Sequence, residues 1–306
     1  MSKAPTLSSI GRQVRMVQPI DTLILTPKLS RWVETHDELA FSPEHVAIIA
    51  ELLMGKHKMD RTGRFGPSGR GACLRQQIFN FLGVDGKVSH GGGMKMIFWD
   101  GHNAHMVKQL ILLDAGLADD VEVEVHVPAL RSRGLIDAVG THDEGWRYGV
   151  DIKTTSASKN QVREAQSMMV DWMNSTDYEL PDYWFAAAMI KSVLQVSSYM
   201  ALTDVLGWDL RKFSLLYWVK DNSNAVPLQE VVVERYAKAM DLVRAEVETL
   251  NDHVNNEQLP PMLHGCVTGV GKAFEDCAYR AVCSRISQWP KRESQVFIQV
   301  PDGIQV

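Results

Sequence analysis

The chain has 306 residues, with 37 Asp/Glu against 32 Lys/Arg for a net charge of −5, 45% hydrophobic and 23% charged residues, and four cysteines. Those proportions exclude a disordered, collagen-like or disulfide-dense scaffold and leave apolar material for a sizeable core, in one large domain or two small ones. No uninterrupted apolar run approaches the roughly 18 residues of a membrane span, and MSKAPTLSSIGRQVRM lacks the apolar stretch of a signal peptide. A cytoplasmic protein with reduced thiols and no membrane partner is therefore expected.

The first 60 residues suggest only helices, as in LSRWVETHDELAFSPEHVAIIAELLM. Charge is uneven: residues 1–75 hold 11 Lys/Arg against 7 Asp/Glu, a net of +4, which leaves −9 for the rest. Most of the excess lies in GKHKMDRTGRFGPSGRGACLR, Gly55 to Arg75, with six Lys/Arg, one acid and five glycines. Such a stretch reads as too polar and too glycine-rich for core. It is either a solvated loop or a flexible phosphate-contacting one, with Arg61, Arg64, Arg70 and Arg75 the DNA-binding candidates.

Next, IFWDGHNAHMVKQLILLDAG has Ile97, Met106, Leu110 and Leu113 at helical spacing and Gly116 as a stop. Valines 121, 123, 125 and 127 then alternate with Glu122, Glu124 and His126, the period-2 pattern of a half-buried strand. GLIDAVG and WRYGVDIKT read as two further strands of an antiparallel meander. Residues 157–206 read mainly as helix, with Gly207 as its stop. KFSLLYWVK and AVPLQEVVV follow as strands, and ERYAKAMDLVRAEVETLNDHV as helix. This order predicts an α/β domain.

The sharpest chemistry sits on the second and third strands. Asp151 and Lys153 are two apart on a strand and share a face; if the hairpin brings Asp137 beside them, two carboxylates and an ammonium converge. That set suits a hard divalent cation, Mg²⁺ or Mn²⁺, with the lysine orienting a bound water or stabilising charge on a phosphate in transfer. A bare D-x-K is also what a surface salt bridge looks like. His105, on the preceding helix, could complete the ligand set, with His102 competing for the role. Gln195 and Tyr199 are four apart on the long helix and share its face.

Taken in order, G-x-x-x-H, G-x-x-D, D-x-K and Q-x-x-x-Y resemble the motifs of the RecB-like branch of the PD-(D/E)XK nuclease superfamily, over residues 68–285. The resemblance implies a restriction-endonuclease-like core, a central mixed sheet flanked by helices, with residues 1–67 as a helical and basic-loop region and 286–306 as a tail. It implies His105, Asp137 and Asp151 as metal ligands, with the backbone carbonyl of Ile152 as a further one. Lys153 is then catalytic with the two acids, and Gln195 and Tyr199 line the site or contact DNA. This chain departs from many members in having Asp rather than Glu at 151.

SGRGACLRQQIFNFLG and CAYRAVC are similar to the cysteine segments of the iron–sulfur RecB-like nucleases, the group of AddB and the CRISPR-associated exonucleases. In that group one distant and three C-terminal cysteines hold a [4Fe–4S] cluster, which here implies Cys73, Cys266, Cys277 and Cys283, joining the ends of the nuclease core. Four thiolates also suit structural Zn²⁺. The ten residues between Cys266 and Cys277 exceed the two usual in that group, which makes His264 a conceivable substitute for Cys266. The function implied is a metal-dependent deoxyribonuclease, an exonuclease on DNA ends or single strands. The alternative is a DNA-end-binding adaptor of the same fold in a recombination or CRISPR-adaptation complex. No P-loop is present, so a helicase partner would be a separate chain.

Overall fold

The computed structural model describes residues 23–36, 41–54, 62–84, 92–219, 228–268, 277–283 and 285–290. Arg61 and the rest of 55–61, the His102 side chain and residues 291–306 lie outside them.

Alternation in the valine run produces β1 (Asp120–Val127), which pairs antiparallel with β2 (Ser132–Thr141), and β2 pairs antiparallel with β3 (Arg147–Thr155). β3 lies parallel to β4 (Leu210–Val219), and β5 (Leu228–Val233) closes the far edge antiparallel to β4. The result is a mixed five-stranded sheet in the order β1-β2-β3-β4-β5, an α/β fold. β3 carries five consecutive buried residues, as a strand covered on both faces must.

One face is covered by α1 (Thr26–Thr35), α2 (Pro43–Leu53) and α4 (Gly92–Asp114), which place Leu29, Ile49, Met106 and Leu112 against Ala138, Val150, Ile152 and Leu216. The other carries α5 (Lys159–Asn174), α6 (Trp184–Val205) and α7 (Ala237–Asn255), packed on Val125, Ile136, Phe213 and Leu215. α4 and α6 end as the glycine spacing predicts: Gly116 and Gly207 take φ of +63° and +73°, the left-handed conformation glycine adopts without steric cost. α6 is long and apolar enough to cross a membrane by composition alone, yet most of it is buried inside the molecule, as a core helix.

The stretch 157–206, expected to be mainly helix, forms two helices. α5 starts on a capping box, Ser158 with Gln161, which also ends β3 just beyond Lys153. It stops at Asn174, where S-T-D-Y-E-L-P turns the chain; Trp172 Nε1 donates to the Glu179 carbonyl across the turn at 2.8 Å. Side-chain competition by Ser, Thr and Asp, and the proline, favour this break over continued helix.

The start of α1 is tied to the sheet by Glu230. Its buried carboxylate on β5 accepts from the amides of Ile24, Leu25 and Thr26 (2.8–3.1 Å), at the start of α1, and from Ser214 Oγ (2.8 Å). A negative charge there satisfies amides that the helix leaves unpaired and meets the positive end of its dipole.

The described part of the basic stretch is not a solvated loop. Phe65 is buried and hydrogen-bonds across to Arg131 and Arg133 beside β2, Pro67–Gly69 forms a 3-10 turn, and α3 (Leu74–Leu82) follows. Arg70 and Arg75 correct the sequence expectation: both guanidinium groups are interior. Arg70 Nε donates to Ser198 Oγ at 3.3 Å and its NH1 stands 3.7 Å from Glu246. Arg75 NH1 donates to the Pro260 carbonyl at 2.7 Å, and its NH2 to those of Cys283 and Ile286. Neither offers charge to a DNA backbone. The partly exposed Arg64 lies close enough for its charge to act on Glu124.

Candidate metal centre and thiol group

The register that pairs Ala138 with Val150 would next pair Asp137 with Asp151, but β2 and β3 part there. Ile152 N–H, freed from the ladder, donates to Asp137 Oδ2 at 2.7 Å. The two acids thus stand at the mouth of a split between strands, with backbone at hand to hold them.

α4 supplies His105, whose Nε2 stands 2.9 Å from Asp137 Oδ2. Burial would lower the pKa of this imidazole, but the adjoining Asp137 carboxylate, with Asp151 and Glu122, more than offsets it and holds the value above normal. On the other side of the split, Lys153 Nζ lies 2.8 Å from Asp151 Oδ2. α6 adds Gln195, which donates to Asp151 Oδ1 at 3.1 Å and accepts from Lys153 Nζ at 3.4 Å. Asp151 is 3% exposed. Burial pushes its carboxyl up to about 6 against the opposing pull of Lys153. The same burial disfavours the Lys153 ammonium, yet the charge of Asp151 wins and raises its pKa.

Of the two roles expected of Tyr199, lining the site or contacting DNA, its surroundings match the supporting one. It is 4% exposed, its ring stacks near Phe213, and its hydroxyl donates to the Leu135 carbonyl. A Cβ on Gly134 would come within 2.8 Å of Tyr199 and 2.7 Å of Pro67. The glycine of G-x-x-D and the tyrosine of Q-x-x-x-Y are therefore two sides of one close contact that seats β2 under α6.

Two residues that sequence reasoning did not single out adjoin the centre. Gln109, one turn past His105 and fully buried, donates to Glu122 Oε1 at 2.6 Å and to the Asp137 carbonyl at 2.9 Å. The i, i+4 spacing of His105 and Gln109 was a signal in the sequence; the position of Glu122 on a half-buried strand was not.

Among the described residues, no set of three or more His, Cys, Asp or Glu side chains is arranged to hold a metal ion as it stands. His105 closes on Asp137, and Asp151 on Lys153. The donor chemistry nonetheless suits a divalent cation: one imidazole nitrogen and two carboxylates, held in two close ion pairs on either side of the strand split.

The four cysteines are free thiols. Cys73 is the N-cap of α3, Cys266 lies in α8 (His264–Thr268), Cys277 follows, and Cys283 ends α9 (Arg280–Cys283). Burial raises the Cys266 thiol, and so do Cys73 and Cys277. Burial likewise raises Cys283; Arg75 opposes the rise, and Cys266 and Cys277 add to it. The thiols thus share one neighbourhood, although residues 269–276 between Cys266 and Cys277 lie outside the described residues. Phe79 of α3 packs against Tyr279, Val282 and Cys283, and Tyr279 OH donates to Asn80 Oδ1 at 2.6 Å. Residues 279–283 are thereby docked on α3 by protein contacts of their own.

No family model and no curated protein matches the chain. A solved structure described as the crystal structure of SSO0001 aligns with 79% of this chain and 95% of its own length, at 17% identity and a TM-score of 0.43.

Proposed function

We propose that this protein is a metal-dependent deoxyribonuclease of the RecB-like PD-(D/E)XK type, with a restriction-endonuclease-like core, acting in the cytoplasm on DNA ends or single strands. The observation that carries the reading is the meeting of His105–Asp137 and Asp151–Lys153–Gln195 where β2 and β3 part. Four motifs far apart in sequence there become neighbours with complementary chemistry.

His105, Asp137 and Asp151, with the Ile152 carbonyl, would hold Mg²⁺ or Mn²⁺. When bound, such a cation acidifies a water and offsets phosphate charge. The Lys153 ammonium is kept at the site by Asp151 and Gln195, where it stabilises negative charge on the scissile phosphate. Gln195 holds both partners of the D-x-K pair. Ile152 N–H fixes the Asp137 carboxylate, so its orientation does not depend on a long, free side chain.

In this reading the four thiols would hold a [4Fe–4S] cluster, with structural Zn²⁺ as the competing occupant. Four free, partly buried thiols in one neighbourhood, beside the Arg75 guanidinium, suit a negatively charged metal–thiolate centre.

Digestion of end-labelled single- and double-stranded DNA by the purified chain with Mg²⁺ or Mn²⁺ tests the reading. Cleavage by the wild type that is lost in Asp151→Ala and Lys153→Ala, with unchanged circular dichroism, is the expected result. Equal cleavage by both variants would sink it.

A further inference from the structure

Glu122 is a glutamate in the middle of a strand with φ of +50°, in the left-handed region. Only a few per cent of non-glycine residues adopt such backbone, and it persists where the surroundings over-determine it, as at binding sites. The register of β1 on β2 would set Glu122 opposite Asp137, yet the ladder skips that pair between Val121–Ala138 and Val123–Ile136. The local distortion re-aims the Glu122 side chain, the effect a bulge has beside a functional site.

Its destination is the Asp137 side of the metal centre. The amide nitrogen of Gln109 bridges the Glu122 carboxylate and the Asp137 backbone carbonyl. Both partners are acceptors, so they fix which end of the amide is the donor. The Gln109 oxygen is then left, in a fully buried side chain, without a hydrogen-bond partner among the described residues. A fully buried amide oxygen without a donor, on the side chain that joins the Glu122 carboxylate to the Asp137 backbone, is an oxygen donor suited to a hard cation.

We propose that Glu122 is a further ligand of the divalent-cation centre, on the side of His105 and Asp137, presented there by its strained backbone and by Gln109. The inference rests on the metal-centre reading above. It adds a third carboxylate, from the strand next to Asp137, to the two of the D…D-x-K set. Its consequence is a centre with donors for a cation on the Asp137 side as well as on the Asp151 side of the strand split.

The test needs no activity. Mn²⁺ binding to the purified full chain is measured from the electron paramagnetic resonance signal of free Mn²⁺, together with the rise in Tm on adding Mn²⁺. Variants are Glu122→Gln, Glu122→Gly and, as the control, Asp151→Asn. Both Glu122 variants should weaken Mn²⁺ binding about 10-fold or more. Glycine relaxes the positive φ, which offsets part of the cost of taking one acceptor from the Gln109 amide, so the metal-free Glu122→Gly protein should keep the wild-type circular dichroism and a cooperative melt while losing most of the Mn²⁺-induced rise. That pairing separates a ligand from a residue needed only for the fold. Wild-type Mn²⁺ affinity in both Glu122 variants, with Asp151→Asn impaired, overturns this proposal and leaves the metal-centre reading intact. Unchanged affinity in Asp151→Asn as well overturns both.

Discussion

The side-chain amide of Gln195 touches both members of the D-x-K pair, donating to Asp151 Oδ1 at 3.1 Å and lying 3.4 Å from Lys153 Nζ. One residue of α6 thus sets the orientation of a carboxylate and an ammonium on β3. Replacing it with leucine removes both contacts at similar volume. Gln195→Leu is expected to slow divalent-cation-dependent DNA cleavage about 10–100-fold, the usual cost of losing a residue that orients a metal ligand, with little change in Tm. Rates on end-labelled DNA beside a melting curve check both halves.

Tyr199→Phe should act on stability. It leaves the Leu135 carbonyl without its donor, at a cost of about 1–2 kcal/mol. Gly134→Ala drives a methyl into Pro67 and Tyr199 and costs about 1–3 kcal/mol by overpacking. Urea denaturation measures both, and DNA affinity of the folded variants should match the wild type.

Arg70→Ala removes a fully interior guanidinium from among Ser198, Gln77 and Glu246. A loss of about 3 kcal/mol is expected, the cost of breaking a buried charge contact. If Arg70 instead met phosphates, the folded variant would show a flatter salt dependence of DNA binding, and that result would refute the interior role.

Glu230→Ala strips three backbone amides and Ser214 of their common acceptor and should cost about 3 kcal/mol. Because the amides open α1, hydrogen exchange across 23–35 should quicken more than exchange in β3. Glu230→Gln keeps an acceptor but not the charge, and should fall between the two.

At the thiol group, Cys283→Ser and Cys73→Ser are each expected to abolish bound iron, sulfide and visible absorbance after anaerobic purification. A colourless wild type with stoichiometric zinc would replace the cluster with zinc. Arg75→Ala should expose residues 277–290 to limited proteolysis, since two of its three carbonyl acceptors, those of Cys283 and Ile286, lie in that segment.

Patterns of short range were legible before any coordinates. Alternating valines specified β1, Gly116 and Gly207 specified helix ends, and the spacings of Asp151 with Lys153 and Gln195 with Tyr199 placed each pair on one face, because strand and helix periods are local geometry. Cys73 and the C-terminal cysteines were separable as one group only by likeness to a known pattern, and the structure puts their segments together through Phe79 and Tyr279.

What remained hidden depended on contacts between distant segments. Arg70 and Arg75 read as surface charge because nothing in GRFGPSGRGACLR announces that Glu246, Ser198 and the carbonyls of Pro260 and Cys283 will surround them. Glu122 read as one polar residue of an alternating strand; its positive φ and its hold on Gln109 exist only once α4 lies across β1 and β2. Glu230 looked like an ordinary strand acid until α1 came to rest on its carboxylate. In each case a polar group needs partners when water is withdrawn, and the sequence determined which groups must be satisfied, whereas the tertiary structure decided by whom.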